Sequence, residues 1–154
     1  MKNILICPIA AIRHEIEGSS AFFILCSGIL YGKETGKNVI SLPFHDTENA
    51  SDPNAVQPCQ AGAIVDYFRQ IPDGADVFVC CDSGESRSPA VAAALMRSQG
   101  QSDLEIWDCP DYHPNVLVYK LVCEYAGIRL WSGELKSLRD RNEAALRRAI
   151  QNGG

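Results

Sequence analysis

The sequence lacks several features that would place it in a specialised class of protein. None of its apolar runs approaches the roughly 18 residues of a membrane-spanning helix, so we do not expect an integral membrane protein. Its seven cysteines form no CxxC pair and no repeated zinc-type spacing, which disfavours both a metal site and a disulfide framework. Basic residues are few, fourteen against nineteen acidic ones, and the net charge of −5 argues against general nucleic-acid binding.

What remains is typical of one soluble domain. The 154 residues are 46% hydrophobic, which is enough to form a hydrophobic core without stabilising disulfides or metal ions. An apolar stretch over 4–12 has some likeness to a signal peptide, but charged residues follow it directly, and we expect a cytoplasmic protein. Four cysteines lie in apolar stretches, where a thiol behaves as a small buried hydrophobe in a reducing compartment: Cys7, Cys26, Cys80 and Cys123.

Strand-like and helix-like segments alternate along most of the chain. Short apolar runs predict strands over 4–7, 22–26, 39–42 and 77–80. Helical spacing predicts helices over 56–71, 88–99, 115–125 and 132–151. Turn-rich stretches cover 31–38 and 45–53. Because the strands are almost wholly apolar, we expect an α/β fold with a mainly parallel sheet and helices on both faces.

The last predicted helix is amphipathic. Ser132 is the expected N-cap. Its apolar stripe is Leu135, Leu138, Ala145, Leu146, Ala149 and Ile150. We interpret its charged side as a solvated face and the helix as an extension packed on a single domain of residues 1–154.

The segment most informative about chemistry follows the fourth predicted strand. Cys81 and Arg87 stand six positions apart, with Gly84 between them and Ser88-Pro89 opening the next helix. A loop of this kind, between a strand and a helix N-terminus, points its amides inward and binds a dianion. The predicted phosphate-binding residues are Asp82, Ser83, Gly84, Glu85, Ser86 and Arg87.

The same residues predict phosphoryl transfer to sulfur. The amides, the helix end and Arg87 favour the thiolate of Cys81, which is the reactive form. The planar fork of Arg87 can hold two phosphoryl oxygens as charge builds during transfer. Ser88 can hydrogen-bond the departing thiolate when water hydrolyses the phosphocysteine, although a plain N-cap is an equal interpretation.

The chain resembles the dual-specificity branch of the protein tyrosine phosphatase superfamily over roughly residues 20 to 127. The family loop reads His-Cys-x-x-Gly-x-x-Arg-Ser-Pro, which Cys81, Gly84, Arg87, Ser88 and Pro89 match. Residues 42–47 look like its strand and Asp-Thr acid loop, and 114–115 like its Pro-Asn element. The resemblance implies a four- to five-stranded sheet flanked by helices, a two-step mechanism without metal or cofactor, and Asp46 as general acid.

On chemical grounds alone, residues other than Asp46 could also serve as the general acid. A leaving alkoxide or phenoxide needs a proton, and a carboxylic acid on a loop above the phosphate can supply it. Asp52 on the same loop, Asp111 and His113 are alternatives to Asp46, and each also fits a turn or capping role.

The sequence departs from the family pattern at two kinds of position. The histidine before the nucleophile is Cys80 here, and Asp82 and Glu85 add carboxylates that oppose a phosphate dianion. Those acids argue against phosphoinositide substrates. The thiol of Cys80 also allows redox chemistry, with Cys81, Cys26 or Cys7 as partner, or it simply packs.

These observations predict a phosphatase that acts on phosphorylated protein or on a small phosphomonoester. The alternative is a phosphate-binding pseudophosphatase that keeps the loop and loses turnover. Sulfur or arsenate chemistry is a third class, disfavoured by the spacing from Cys81 to Arg87 and by the position of the loop in mid-chain.

Overall fold

The computed structural model describes residues 1–12, 16, 19–27 and 38–153. Its strands are β1 (Asn3–Pro8), β2 (Phe22–Leu25), β3 (Val39–Ser41) and β4 (Asp76–Cys81). Its helices are α1 (Ile9–Ile12), α2 (Pro58–Gln70), α3 (Arg87–Ser98), α4 (Leu104–Trp107), α5 (Val116–Tyr125) and α6 (Glu134–Asn152). All four predicted strands and all four predicted helices are present, with every end within two residues of its expected position. Of the turn-rich stretch 31–38, all but residue 38 lies outside the described residues.

The strands form one parallel sheet in the order β1-β4-β2-β3. This confirms the predicted α/β class and the parallel sheet. The strand β4 is central, paired with β1 on one side and β2 on the other. Its carboxyl end therefore opens where the ends of two further strands meet, which is where ligands bind in open parallel sheets.

The side chains of β4 alternate between two apolar clusters. Val77, Val79 and Cys81 face the larger cluster, which α2 to α6 also line. Cys80 faces the smaller cluster, where α1 contributes Ile9 and Ile12. Neighbouring residues of the same strand thus lie on opposite faces of the sheet.

The helix α3 is the most deeply buried helix. Every residue from Arg87 to Met96 is buried, and four of them are alanines. Small side chains let this helix run close beneath the sheet. Its N-terminus consequently lies directly at the end of β4.

The C-terminal helix differs from the prediction at its start. It begins at Glu134 after Gly133, whose φ of 87° is left-handed, so the predicted N-cap Ser132 lies outside the helix. The N-cap is Gly133, and the Glu134 side chain binds residues outside the helix: Trp131 donates its backbone N–H to Glu134 Oε1 at 3.0 Å, and Arg97 contacts Oε2 at 2.6 Å.

The apolar stripe of α6 is also only partly buried. Leu138 and Ala145 are buried, but Ile150 is 67% exposed, so its place on the packed stripe was wrongly predicted. Buried Asn142 holds the helix instead, by donating to the carbonyls of Trp107 at 3.0 Å and Tyr112 at 2.8 Å. No described helix has the length and apolar character required to span a membrane.

Candidate active site

The loop after β4 is folded tightly against the end of β1. Gly84 has a φ of 75°, which glycine adopts far more readily than other residues. A Cβ at this position would lie 2.9 Å from the backbone nitrogen of Pro8. Both the backbone angle and the close approach explain why a glycine stands in the middle of the loop.

The Cys81 thiol lies at the N-terminus of α3. Its Sγ accepts the backbone N–H of Ser88 at 3.4 Å and lies 3.1 Å from Ser88 Oγ. Both residues are almost completely buried. The structure therefore brings together the two residues that the sequence placed at either end of the loop, in an arrangement that suits a negatively charged sulfur.

The Arg87 guanidinium is buried beside the loop, and internal acceptors surround it. Its Nη1 donates to the carbonyl oxygens of Phe44 at 2.7 Å and Cys26 at 3.2 Å. Its Nη2 lies 3.1 Å from Asp82 Oδ2. These contacts fix the fork in place, and one of its two ends is paired with a carboxylate of the loop itself.

The Asp82 carboxylate has a second partner. The hydroxyl of Ser27 donates to its Oδ1. This bond and the Arg87 guanidinium hold the pKa of Asp82 below its ordinary value. The carboxyl group is consequently charged at neutral pH, and its side chain contributes an anion to a loop that was predicted to bind one.

Asp46 reaches the loop from the segment after β3. Its Oδ1 accepts from Ser86 Oγ at 2.8 Å and from Asn115 Nδ2 at 2.9 Å. Of the predicted alternatives, Asp52 accepts the backbone N–H of Asn54 at 2.8 Å, as a turn aspartate does. Asp46 is thus hydrogen-bonded to the loop, and Asp52 belongs to a turn.

Asn115 is a site residue whose contacts the sequence did not predict. Besides Asp46, its amide nitrogen contacts the carbonyl of Thr47 at 3.1 Å, and its Oδ1 caps α5 through Leu117 and Val118. Its backbone N–H donates to Ser86 at 3.1 Å. One buried residue therefore ties the segment of Asp46 and Thr47, the loop after β4 and α5 together, through both its side chain and its backbone N–H. The resemblance pointed to the Pro-Asn pair without saying what it does.

The remaining predicted residues border a surface cavity. Ser83, Gly84, Glu85, Asp111 and His113 all line it, and its volume is about 460 Å³. The backbone N–H of His113 donates to the carbonyl of Glu85 at 2.7 Å. Asp111 and His113 therefore lie on the side of the loop that faces β1, whereas Asp46 contacts it at Ser86.

Three further cysteines lie close to the loop. Cys80 Sγ is 3.4 Å from Cys7 Sγ on the opposite face of the sheet from Cys81. Cys26 is completely buried in the same cluster as Cys81, and burial raises its thiol pKa. Within the described residues, no group of three His, Cys, Asp or Glu side chains has a metal-binding arrangement.

Comparison with known proteins gives few matches. No protein-family model matches the sequence, and no curated protein does. Among solved structures, the chain is similar to crystal structures of PTPMT1. One, in complex with PI(5)P, has 15% identity and a TM-score of 0.44, covering 96% of this chain and 94% of that chain. The other has 16% identity and a TM-score of 0.45, covering 97% and 95%.

Proposed function

We propose that this protein is a cysteine-dependent phosphatase that hydrolyses phosphomonoesters through a phosphocysteine intermediate. The observation that carries the proposal is the position of Cys81 Sγ against the backbone N–H and hydroxyl of Ser88, at the start of α3. A helix N-terminus stabilises both a thiolate and an approaching phosphate. The motif likeness to dual-specificity phosphatases supports the same assignment.

In the first step, the Cys81 thiolate attacks phosphorus and the bond from phosphorus to the leaving oxygen breaks. Arg87 binds two of the phosphoryl oxygens, for which its Nη2 must exchange Asp82 for the substrate. Asp46, in its protonated form, donates a proton to the leaving oxygen. Asn115 and Ser86 hold that carboxyl group in place.

In the second step, water attacks phosphorus while it gives a proton to the Asp46 carboxylate, which regains its acid form, and the bond from sulfur to phosphorus breaks. Phosphate leaves, and Cys81 returns to the thiolate. The Ser88 hydroxyl donates a hydrogen bond to the departing sulfur, for which its 3.1 Å distance is already suitable. The cycle needs a reduced Cys81, so a reducing, cytoplasmic setting is part of the proposal.

The proposed substrates are phosphotyrosine in proteins and small phosphomonoesters. Glu85 is exposed on the loop and Asp82 is charged beside Arg87. These carboxylates disfavour a phosphoinositide head group, whose additional phosphates would meet them.

One observation favours a second candidate, a phosphate-binding pseudophosphatase. The Asp82 carboxylate already holds one end of the Arg87 fork. If a substrate phosphate rarely displaces the Asp82 carboxylate from Arg87, the loop binds phosphorylated partners weakly and does not hydrolyse them.

The test is hydrolysis of para-nitrophenyl phosphate by reduced protein. We compare the wild type with Cys81→Ser, Asp46→Asn and the matched control Cys59→Ser, which changes an exposed cysteine on α2. The proposal predicts activity in the wild type and in Cys59→Ser, no activity in Cys81→Ser and reduced activity in Asp46→Asn. Equal activity in the wild type and Cys81→Ser overturns the proposal. An inactive wild type that binds vanadate supports the pseudophosphatase.

A further inference from the structure

Cys7 and Cys80 are direct neighbours in the sheet. They are partners in the parallel register of β1 and β4, and their sulfur atoms are 3.4 Å apart. Neighbouring strands lie about 4.8 Å apart, which is within the roughly 4.4 to 6.8 Å between Cα atoms that a disulfide spans. A small movement of the two side chains is therefore enough to bond the sulfur atoms.

The two thiols differ in their access to solvent. Cys7 is half-buried and lines the 460 Å³ cavity next to the loop. Cys80 is completely buried, and both the contact with Cys7 and its burial raise its thiol pKa. A small dissolved oxidant consequently meets Cys7 first, and Cys80 is positioned to resolve the product.

We propose that Cys7 and Cys80 are a redox modification site that forms a reversible disulfide. With a peroxide as oxidant, Cys7 sulfur attacks the O–O bond and becomes a sulfenic acid, releasing one water. Cys80 sulfur then attacks Cys7 sulfur, the S–O bond breaks, and a second water leaves. Two thiols lose two hydrogens and two electrons, and the peroxide is reduced to two waters.

The geometry distinguishes this pair from the other two partners that the sequence left open for Cys80. Cys81 follows it on the chain but lies on the opposite face of the sheet. Cys26 shares the cluster of Cys81 and not that of Cys80. Cys7 alone of the three has its sulfur in contact with Cys80 Sγ in the described structure.

The disulfide site would border the loop of residues 82–86, between β4 and α3. Cys80 is the residue before Cys81, and the backbone carbon of Cys7 would be 3.0 Å from a Cβ at Gly84. The cross-link itself does not depend on the proposed phosphatase activity, so the two proposals fail independently.

The experiment is disulfide mapping of the full chain after treatment with hydrogen peroxide. Remaining thiols are blocked with iodoacetamide, the protein is digested, and peptides are sequenced by mass spectrometry. Cys81→Ser is mapped beside the wild type, because it removes the adjacent thiol that would otherwise confuse the assignment. Cys59→Ser controls for cross-links between molecules.

We expect a peptide pair joined through Cys7 and Cys80 in the wild type, Cys81→Ser and Cys59→Ser, lost on treatment with dithiothreitol. In Cys7→Ser, Cys80 should stay alkylatable after unfolding. The proposal is overturned if peroxide joins Cys80 to Cys81 or Cys26 instead. It is equally overturned if Cys7 and Cys80 remain thiols in the wild type while other cysteines oxidise, a result that needs no variant to fold.

Discussion

Asp82 Oδ2 lies 3.1 Å from Nη2 of Arg87, so the loop pairs its own carboxylate with the group that we expect to bind phosphate. A substrate phosphate must compete with this internal anion. We therefore expect the pair to lower the affinity of the loop for phosphate, through a charge that the chain itself supplies.

Replacing Asp82 with asparagine should strengthen phosphate binding. The variant removes a negative charge from the loop and releases one end of the Arg87 fork. Partly exposed pairs contribute roughly 0.2 to 1 kcal/mol, so we expect the Kd for inorganic phosphate to fall by up to about fivefold. Isothermal titration calorimetry measures it, with Glu85→Gln as the control that removes a loop charge without touching Arg87. Weaker binding in Asp82→Asn than in the wild type would contradict the account.

The same substitution should lower stability at neutral pH but not in acid. Ser27 and Arg87 hold the pKa of Asp82 below its ordinary value. A lowered pKa in the folded state means that the charged group adds stability above the unfolded value of about 3.9, and that this stability is lost as the pH falls through the lowered pKa. We expect Asp82→Asn to be less stable than the wild type by under about 1 kcal/mol at pH 7, with the gap closing in strong acid. Urea unfolding at several pH values measures the difference in free energy of unfolding between the two proteins. A difference that grows in acid would contradict the prediction.

Asn115 should act as a positioning residue for Asp46. In Asn115→Ser the hydroxyl still caps α5 through the amides of Leu117 and Val118, but it is too short to donate to Asp46 as the amide does. We expect a modest fall in Tm, because a buried amide loses its contacts, and a loss of kcat of about 10- to 100-fold for an alkyl phosphate, whose leaving group needs a proton. The loss should be smaller for para-nitrophenyl phosphate. An equal loss for both substrates would indicate a purely structural role.

Gly84 should be intolerant of a side chain for two separate reasons. An alanine there adopts a left-handed angle and meets the Pro8 nitrogen, whereas an alanine at Gly74, with a φ of 84°, meets no atom within 4 Å. The left-handed angle costs about 1 to 2 kcal/mol at either position. We expect Gly84→Ala to lower the free energy of unfolding by more than Gly74→Ala, and to reduce phosphate binding, which Gly74→Ala leaves unchanged. Equal effects would mean that the loop does not press on β1.

Much of the fold was predictable because its signals are local. Apolar runs marked the four strands, and Pro89 and Gly100 bracketed α3 closely. The start of α6 was less predictable, since its N-cap is Gly133 and the contact of Glu134 with Arg97 joins segments that are far apart in the sequence. Burial of Asn142 also depends on carbonyls more than thirty residues away, which no periodicity of α6 reveals.

The candidate site was predictable to the extent that its residues are consecutive. Residues 81–88 are the end of a strand, a short loop and the start of a helix. This local order alone places Cys81 close to Ser88. The contacts of Asp46 with Asn115 and of Asp82 with Ser27 join distant segments, and the sequence indicated neither of them. The contact of Cys80 with Cys7 depends on strand order, which the sequence did not specify.

Trapping the phosphoenzyme tests the central claim most directly. Ser88→Ala should slow the second step by about 10- to 100-fold, because a hydrogen bond to a charged group contributes roughly 1.5 to 3 kcal/mol. Reduced Ser88→Ala is mixed with para-nitrophenyl phosphate, quenched in acid within the first turnover and digested for mass spectrometry. We predict phosphate on Cys81, at higher occupancy than in the wild type. Phosphate on another residue, or product release by a protein that never carries phosphate on Cys81, would contradict the account.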